Sequence, residues 1–290
     1  MGTTGSLLEG RRVLITGAAR GIGAALAVRL HERGARVALL GLEPELLAAT
    51  AVRAGGAPWR ECDIADGAAV TAAVEALVQD LGGGLDVVVA NAGIAKQMPM
   101  LGGDPAVLER TLQVNVMGTF HTLRAAGPHI AHEGGYAIAI ASAAAALHLP
   151  LLGAYNASKS ATEALGNTLR AELRRTGAKV GVAYFGELDT DMTRRGFDTE
   201  ASHAVHLDSY FTRVAPLEVG IDALERGIAR RSRRVYAPRW VGPMLPARML
   251  VQPLIDRISQ RGLQKALAIA REEEVEFTTP QPVEPTTRAA

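Results

Sequence analysis

The stretch "RVLITGAARGIG", residues 12–23, decides the fold. Arg12–Thr16 is a short run of branched apolar residues, the mark of a buried strand. Helical spacing then runs through "AALAVRLHERGA", residues 24–35, and stops at Gly34. Between strand and helix stand Gly17, Gly21 and Gly23. Glycine permits a tight turn there and lets the backbone come close to a pyrophosphate, while the free N–H groups that open the helix attract its charge. Any strand-to-helix joint can use glycines; the place of these, directly after the first strand of a β-α-β unit, favours a dinucleotide. The spacing is G-x-x-x-G-x-G and no Lys-Ser/Thr pair follows, which argues against a Walker-type ATP loop.

The alternation continues outward. "RVALL" (36–40), "LDVVVANAG" (85–93), "YAIAIAS" (136–142), "KVGVAYFG" (179–186) and "RVYAP" read as strands. Residues 66–84, with Asp66 as cap and glycines at the end, read as a helix. So do 105–130, with a bend expected near Gly118, then 158–177 and the segment from 217. Strands alternating with helices give an α/β fold, a doubly wound parallel sheet (Rossmann fold) covered on both faces. Such a sheet binds ligands at the carboxyl ends of its strands, where every distinctive stretch of this chain falls.

Composition narrows the classes. The 290 residues are 48% hydrophobic, enough for one large domain, expected over 1–238. Lys and Arg number 31 against 30 Asp and Glu, and aromatics make up 4%, so neither a basic field nor a stacking surface for nucleic acid is present. Cys62 is the one cysteine, so no internal disulfide can form and no Cys/His zinc spacing exists; no metal site is expected, and a cytoplasmic location suits the chain. "MGTTGSLLEGRR" lacks an apolar core behind a basic start; Gly2 and Ser6 fit a myristoylation pattern, but the stretch reads as a solvated leader. No run reaches 18 uninterrupted apolar residues, so no spanning helix is expected.

"GAYNASKSA", residues 153–161, sets Tyr155 and Lys159 four apart, on one helix face. A phenol has an ordinary pKa of about 10, high for a general base near neutrality, and a nearby ammonium lowers it. Ser142, at the end of a strand, can donate to a carbonyl oxygen where charge develops. A proton donor, a polarising hydroxyl and a bound dinucleotide suit hydride transfer between a nicotinamide and a carbonyl or alcohol.

Together the glycine turn, Asn91-Ala92-Gly93, Asn115 in "VNVMG", Ser142, Tyr155 and Lys159 resemble the short-chain dehydrogenase/reductase family, in its order and spacings from about Arg11 to about Thr193. The resemblance implies that Tyr155 is general acid in reduction and base in oxidation. It implies that Lys159 lowers the phenol's pKa and holds the nicotinamide ribose, that Ser142 orients substrate, and that Asn115 anchors a water in a proton relay. The cofactor would rest on Gly17, Arg20, Gly21, Ile22, Gly23, Gly41, Asp63 and Ile64. Asn91, Ala92, Gly93, Tyr155, Lys159, Gly186 and Thr190 would complete its cleft, with Asp63 at the adenine amino group.

Two departures stand out. Phe185 occupies the family's usual proline before Gly186, and would either narrow the nicotinamide pocket or cap the core. Gly41 replaces the acid that commonly accepts from the ribose 2′-hydroxyl. Arg20 could meet a 2′-phosphate and Glu43 could instead bond the ribose, so NAD and NADP both stay open.

Beyond Thr193, residues 194–216 correspond to the family's substrate lid, with His203, His206, Tyr210 and Phe211 as candidate lining and the histidines equally at home on the surface. Residues 239–270 form an expected helical extension, apolar on one side and interrupted by Pro243, Pro246 and Pro253. It can pack on the core or a second subunit, cover an apolar substrate, or touch a membrane surface through 239–258; the prolines argue against the long amphipathic helix that membrane contact needs. Residues 271–290 read as a disordered tail. The expected function is NAD(P)(H)-dependent interconversion of a secondary alcohol and a ketone. The small-molecule substrate would be apolar, of steroid, retinoid or lipid type, and the chain a homo-oligomer, dimer or tetramer, pairing through 105–130 and 158–177. A non-catalytic dinucleotide-binding regulator is the alternative, although it would not need the Tyr155 set. A sugar-nucleotide epimerase or dehydratase fits less well, since those chains are usually longer and differ in glycine spacing.

Overall fold

The structure, a computed structural model, describes residues 7–205 and 213–282. Seven strands form one sheet: β1 (Arg12–Thr16), β2 (Arg36–Gly41), β3 (Trp59–Glu61), β4 (Val87–Ala90), β5 (Tyr136–Ile140), β6 (Lys179–Phe185) and β7 (Arg234–Ala237). Their order is β3-β2-β1-β4-β5-β6-β7, and every pairing is parallel. The chain builds outward from β1 to β3, then returns to β4 on β1's other side. That reversal opens a crevice between the carboxyl ends of β1 and β4.

Burial explains why the strands read as continuous apolar runs. Val13 and Ile15 face one layer, with α1 (Gly21–Glu32), α2 (Pro44–Arg53) and α9 (Leu217–Arg230). Leu14 faces the other, with α3 (Gly67–Asp80), α5 (Gly118–Ile130) and α6 (Gly153–Glu172). Asp66 caps α3 as expected, accepting from the backbone N–H groups of Ala68 and Ala69 at 2.9 and 3.0 Å.

Some elements differ from the sequence expectation. Strand β3 is short and partly exposed, so it leaves no apolar run to read. The expected helix over 105–130 is α4 (Pro105–Leu112), a wide π turn over Gln113–Met117, then α5; the irregularity precedes Gly118. Helix α6 begins at Gly153, ahead of the expected 158, which puts Tyr155 in its first turn.

The C-terminal part departs most. Helix α10 (Val241–Ser259) runs unbroken through Pro246 and Pro253, against the expectation that proline interrupts it. Each proline costs one backbone hydrogen bond. Burial of Val241, Leu245 and Ile255 against Val182 and Tyr184 of β6 offsets that loss. Helix α11 (Leu263–Glu272) packs on α8 (Glu200–Ala204), with Ala266 buried beside Ala201 and Ala204. Residues 273–282, expected as part of a disordered tail, are instead laid against the cleft. Thr278 is 1% exposed and pairs with Ala95 through its backbone N–H and its hydroxyl oxygen, both at 3.0 Å. Gly2, Ser6, His206, Tyr210, Phe211 and the tail beyond 282 lie outside the described residues. Among the described residues, no helix is long and apolar enough to cross a membrane.

Candidate active site

A single cleft runs along the carboxyl ends of β1, β2, β4, β5 and β6. Its floor is the glycine turn. Gly17 has φ +64°, and a Cβ there would lie 2.7 Å from Ala92 Cα, so both backbone and neighbour demand glycine. Asn91 fixes the facing strand end: its side-chain amide donates to the carbonyls of Thr16 (2.9 Å) and Gly17 (3.2 Å). The Thr16 hydroxyl accepts from the N–H groups of Asn91 and Ala92 at 3.0 and 3.1 Å. Gly21 and Ile22 open α1 at the cleft, and Arg20, its N-cap, supplies no side-chain cap. The first N–H groups of α1 are therefore available to an anion. Gly23 does not line the cleft; it lets α1 sit on the Gly17 carbonyl.

At the other end of this floor, Gly41, Asp63 and Ile64 line the wall. Asp63 accepts from the Ala65 N–H at 3.0 Å and from the Arg110 guanidinium at 2.8 Å. Arg110 also donates to Gln281 at 2.8 Å. Arg20 is held by Glu43 in a two-pronged pair, one prong at 2.7 Å, with Asp191 at 3.7 Å on its far side. Gly93 lies deeper, where an added Cβ would sit 3.2 Å from Asn115 Oδ1 and 3.4 Å from Lys159 Nζ.

Ser142, Tyr155 and Lys159 come together beyond Gly93 and all three line the cleft. Burial pushes the Tyr155 phenol up to about 12; a hydrogen bond with Ser142 works downward, and the charge of Glu187 pushes it further up. Burial holds the Lys159 ammonium down, to about 8. Its Nζ donates to the Ile140 carbonyl at 3.0 Å and lies 5.5 Å from the centre of the Tyr155 ring. Burial is the largest cause for both groups. The Ser142 hydroxyl also donates to the Phe185 carbonyl (3.3 Å) and accepts from the Ala144 N–H (3.1 Å).

Asn115 stands behind this group and does not line the cleft. Its amide donates to the Ile94 carbonyl and the Ser158 hydroxyl, both at 2.9 Å, and its oxygen accepts from the Ile94 N–H at 2.8 Å. It sits in the π turn and ties the end of β4 to α6.

A family model described as short chain dehydrogenase matches residues 11–201, the part that carries the glycine turn, Asn91, Asn115, Ser142, Tyr155 and Lys159. The chain belongs to the short-chain dehydrogenase/reductase family, a family of oxidoreductases. Among its relatives is a D-threitol dehydrogenase from Mycolicibacterium smegmatis, 35% identical over 66% of this chain and 75% of the relative. A short chain dehydrogenase from Mycobacterium paratuberculosis, solved bound to NAD, superposes with a TM-score of 0.69 at 29% identity, over 79% of this chain and 96% of that one. One from Burkholderia cenocepacia, solved in complex with NADP, gives 0.71 at 28% identity over the same shares.

Phe185 is in the core, 4% exposed, and also lines the cleft, and its backbone carbonyl accepts from the Ser142 hydroxyl. Gly186 lines the cleft and packs under Trp240, whose ring would stand 3.0 Å from an added Cβ. Thr190 lines the cleft and caps α7 (Asp191–Gly196), accepting from the Thr193 N–H at 3.3 Å. His203 is exposed and pairs with Asp198 at 2.6 Å, a surface role.

Several lining residues escaped the sequence reading. Leu152, Met192 and Phe197 form an apolar wall beside Tyr155, and Phe197 meets its ring edge-on at 5.5 Å. Val251, Leu254, Ile255 and Ile258, on the apolar side of the extension that the sequence offered as a substrate cover, also line the cleft from α10. Glu187, Thr278 and Gln281 also line the cleft. The position of Glu187, directly after a glycine at a strand's carboxyl end, was the one available signal.

Proposed function

We propose that this chain is an NAD(P)(H)-dependent oxidoreductase that interconverts a secondary alcohol and a ketone, with Tyr155 as the acid/base. The observation that carries this reading is the grouping of the Tyr155 phenol and the Ser142 hydroxyl at the apolar end of a cleft whose other end is the glycine turn. The uncapped start of α1 and the close floor at Gly17 fit a pyrophosphate, and Thr190, Gly93 and Lys159 would hold the nicotinamide riboside. The dinucleotide, when bound, supplies or accepts the hydride.

In reduction, Ser142 donates to the substrate carbonyl oxygen and Tyr155 delivers the proton to it; in oxidation Tyr155 takes the alcohol proton. With its pKa pushed up by burial, the Tyr155 phenol carries its proton near neutral pH, the form that reduction uses. Lys159 can relay the proton and Asn115 acts by fixing the β4 turn against α6.

The walls support an apolar substrate: Leu152, Met192 and Phe197 beside Tyr155, and Leu254 and Ile255 of α10, all line the cleft. This cleft-facing side of α10 favours its role as a cover over the substrate rather than a membrane contact. The ion pairs on Arg20 support NAD over NADP, since a 2′-phosphate would have to compete with Glu43 and Asp191 for the guanidinium. The exposed Met117 and Phe120 on the α4–α5 surface support homo-oligomer pairing there. A cytoplasmic location remains part of this reading.

The test is a panel of apolar ketones and secondary alcohols, with NADH, NADPH and their oxidised forms, followed by nicotinamide absorbance. Dinucleotide-dependent turnover of at least one ketone is expected; tight dinucleotide binding with no turnover of any would favour the regulatory alternative.

A further inference from the structure

Glu187 carries a charge into an apolar cleft and is given no partner there. Its backbone is held on both sides. Gly186 N–H donates to the Ala237 carbonyl at 2.9 Å, the Glu187 carbonyl accepts from Ala215 N–H at 2.9 Å, and Asp189 N–H donates to the Ala215 carbonyl at 2.8 Å. The side chain thus enters the cleft from a fixed loop, not from a free surface. No hydrogen bond or ion pair reaches its carboxylate among the described residues. It shares the cleft with Phe197, Met192 and Leu152, and its charge acts on the phenol of Tyr155.

The charged groups around it do not compensate. Asp198, on the loop after α7, adds a like charge, although it is itself paired with His203. Lys159 is turned to the Ile140 carbonyl. Burial first, and Asp198 second, push the Glu187 carboxyl up to about 7. An uncompensated carboxylate in apolar surroundings is costly, and a cation brought to it removes that cost.

We propose that Glu187 forms an acidic subsite of the substrate pocket, which takes an ammonium group on an otherwise apolar substrate. The proposal rests on the alcohol–ketone reading for what happens next to that group: the substrate class becomes apolar amino ketones and amino alcohols. The amine donates to the Glu187 carboxylate while its hydrocarbon part lies against Leu152, Phe197 and Leu254. No bond is made or broken at Glu187, which selects and orients.

The test compares binding of n-octylammonium and n-octanol to the full chain by calorimetry at pH 8.5, with and without saturating NADH, in the native protein and in Glu187→Gln. Native protein is expected to prefer the ammonium by about tenfold or more, as a charge-assisted hydrogen bond in a half-buried, apolar-walled cleft provides. Glu187→Gln should bring the two ligands within about twofold of each other. The pH supplies a second reading. On going from pH 8.5 to 5.5 the preference should fall more in native protein than in Glu187→Gln, because only native protein has the carboxyl that gains a proton, while the charging of Lys159, with its pKa at about 8, is common to both. An equal preference in Glu187→Gln, or none in native protein, overturns the subsite. Ammonium preference without turnover of any ketone would keep the subsite and overturn the hydride-transfer reading. Ketone turnover without ammonium preference would do the reverse.

Discussion

The Lys159 ammonium donates to the Ile140 carbonyl at 3.0 Å and lies 5.5 Å from the centre of the Tyr155 ring. One cation is therefore tied to the end of β5 and poised beside the phenol it is expected to serve. Burial sets its protonation, and that has a consequence for stability.

The Lys159 pKa is held down at about 8 in the fold, against an ordinary value near 10.5. Between these values the unfolded chain binds more protons than the folded one, so stability from this group rises with pH across that window. Below pH 8 both states are charged and the cost of burying the charge is fully present. Native protein should gain about 1–2 kcal/mol, relative to Lys159→Met, on going from pH 7.5 to 9.5. Urea unfolding at the two pH values checks this, and equal pH dependence in the two proteins would contradict it.

Gly17 and Gly83 separate strain from close approach. Both have positive φ, +64° and +82°, but a Cβ on Gly83 meets nothing within 4 Å, whereas one on Gly17 meets Ala92. Gly83→Ala should cost about 1 kcal/mol and Gly17→Ala about 3 kcal/mol. Unfolding free energies measure both, and Gly17→Ala should also weaken dinucleotide binding.

Glu43 occupies the guanidinium that a 2′-phosphate would need. Glu43→Gln should shift the ratio of kcat/KM for the two dinucleotides about tenfold toward NADP. An unchanged ratio would mean that Arg20 lies outside the ribose subsite.

Thr278 bridges the cleft mouth. It pairs with Ala95 after β4 and packs its methyl group on Gly196 of α7. Thr278→Val keeps the shape but leaves the Ala95 N–H unpaired, a loss of about 1–2 kcal/mol. If residues 273–282 help to retain the dinucleotide, stopped-flow release should speed up by roughly tenfold. An unchanged release rate would make the segment a purely structural cover.

The central fold was legible because its determinants are local. Parallel strands buried on both faces, such as Val87–Ala90, must read as apolar runs, and a turn that brings Gly17 against Ala92 must carry glycine. Tyr155 and Lys159 were legible because one helix sets their spacing. What escaped depends on distant partners. Nothing near Thr278 in sequence announces Ala95, and nothing within α10 announces the burial that lets it pass two prolines. The partners of Asn115 were hidden for the same reason: its three side-chain hydrogen bonds go to Ile94 and Ser158, which only the folded chain brings to it.

The most direct test of the account is Tyr155→Phe, assayed with a ketone that the native protein reduces. The ring still fills its place against Phe197, so folding and dinucleotide binding should survive, while kcat should fall by roughly a hundredfold or more through loss of the proton donor. A variant that binds dinucleotide normally and reduces the ketone at the native rate would contradict the assignment of Tyr155 as the acid/base.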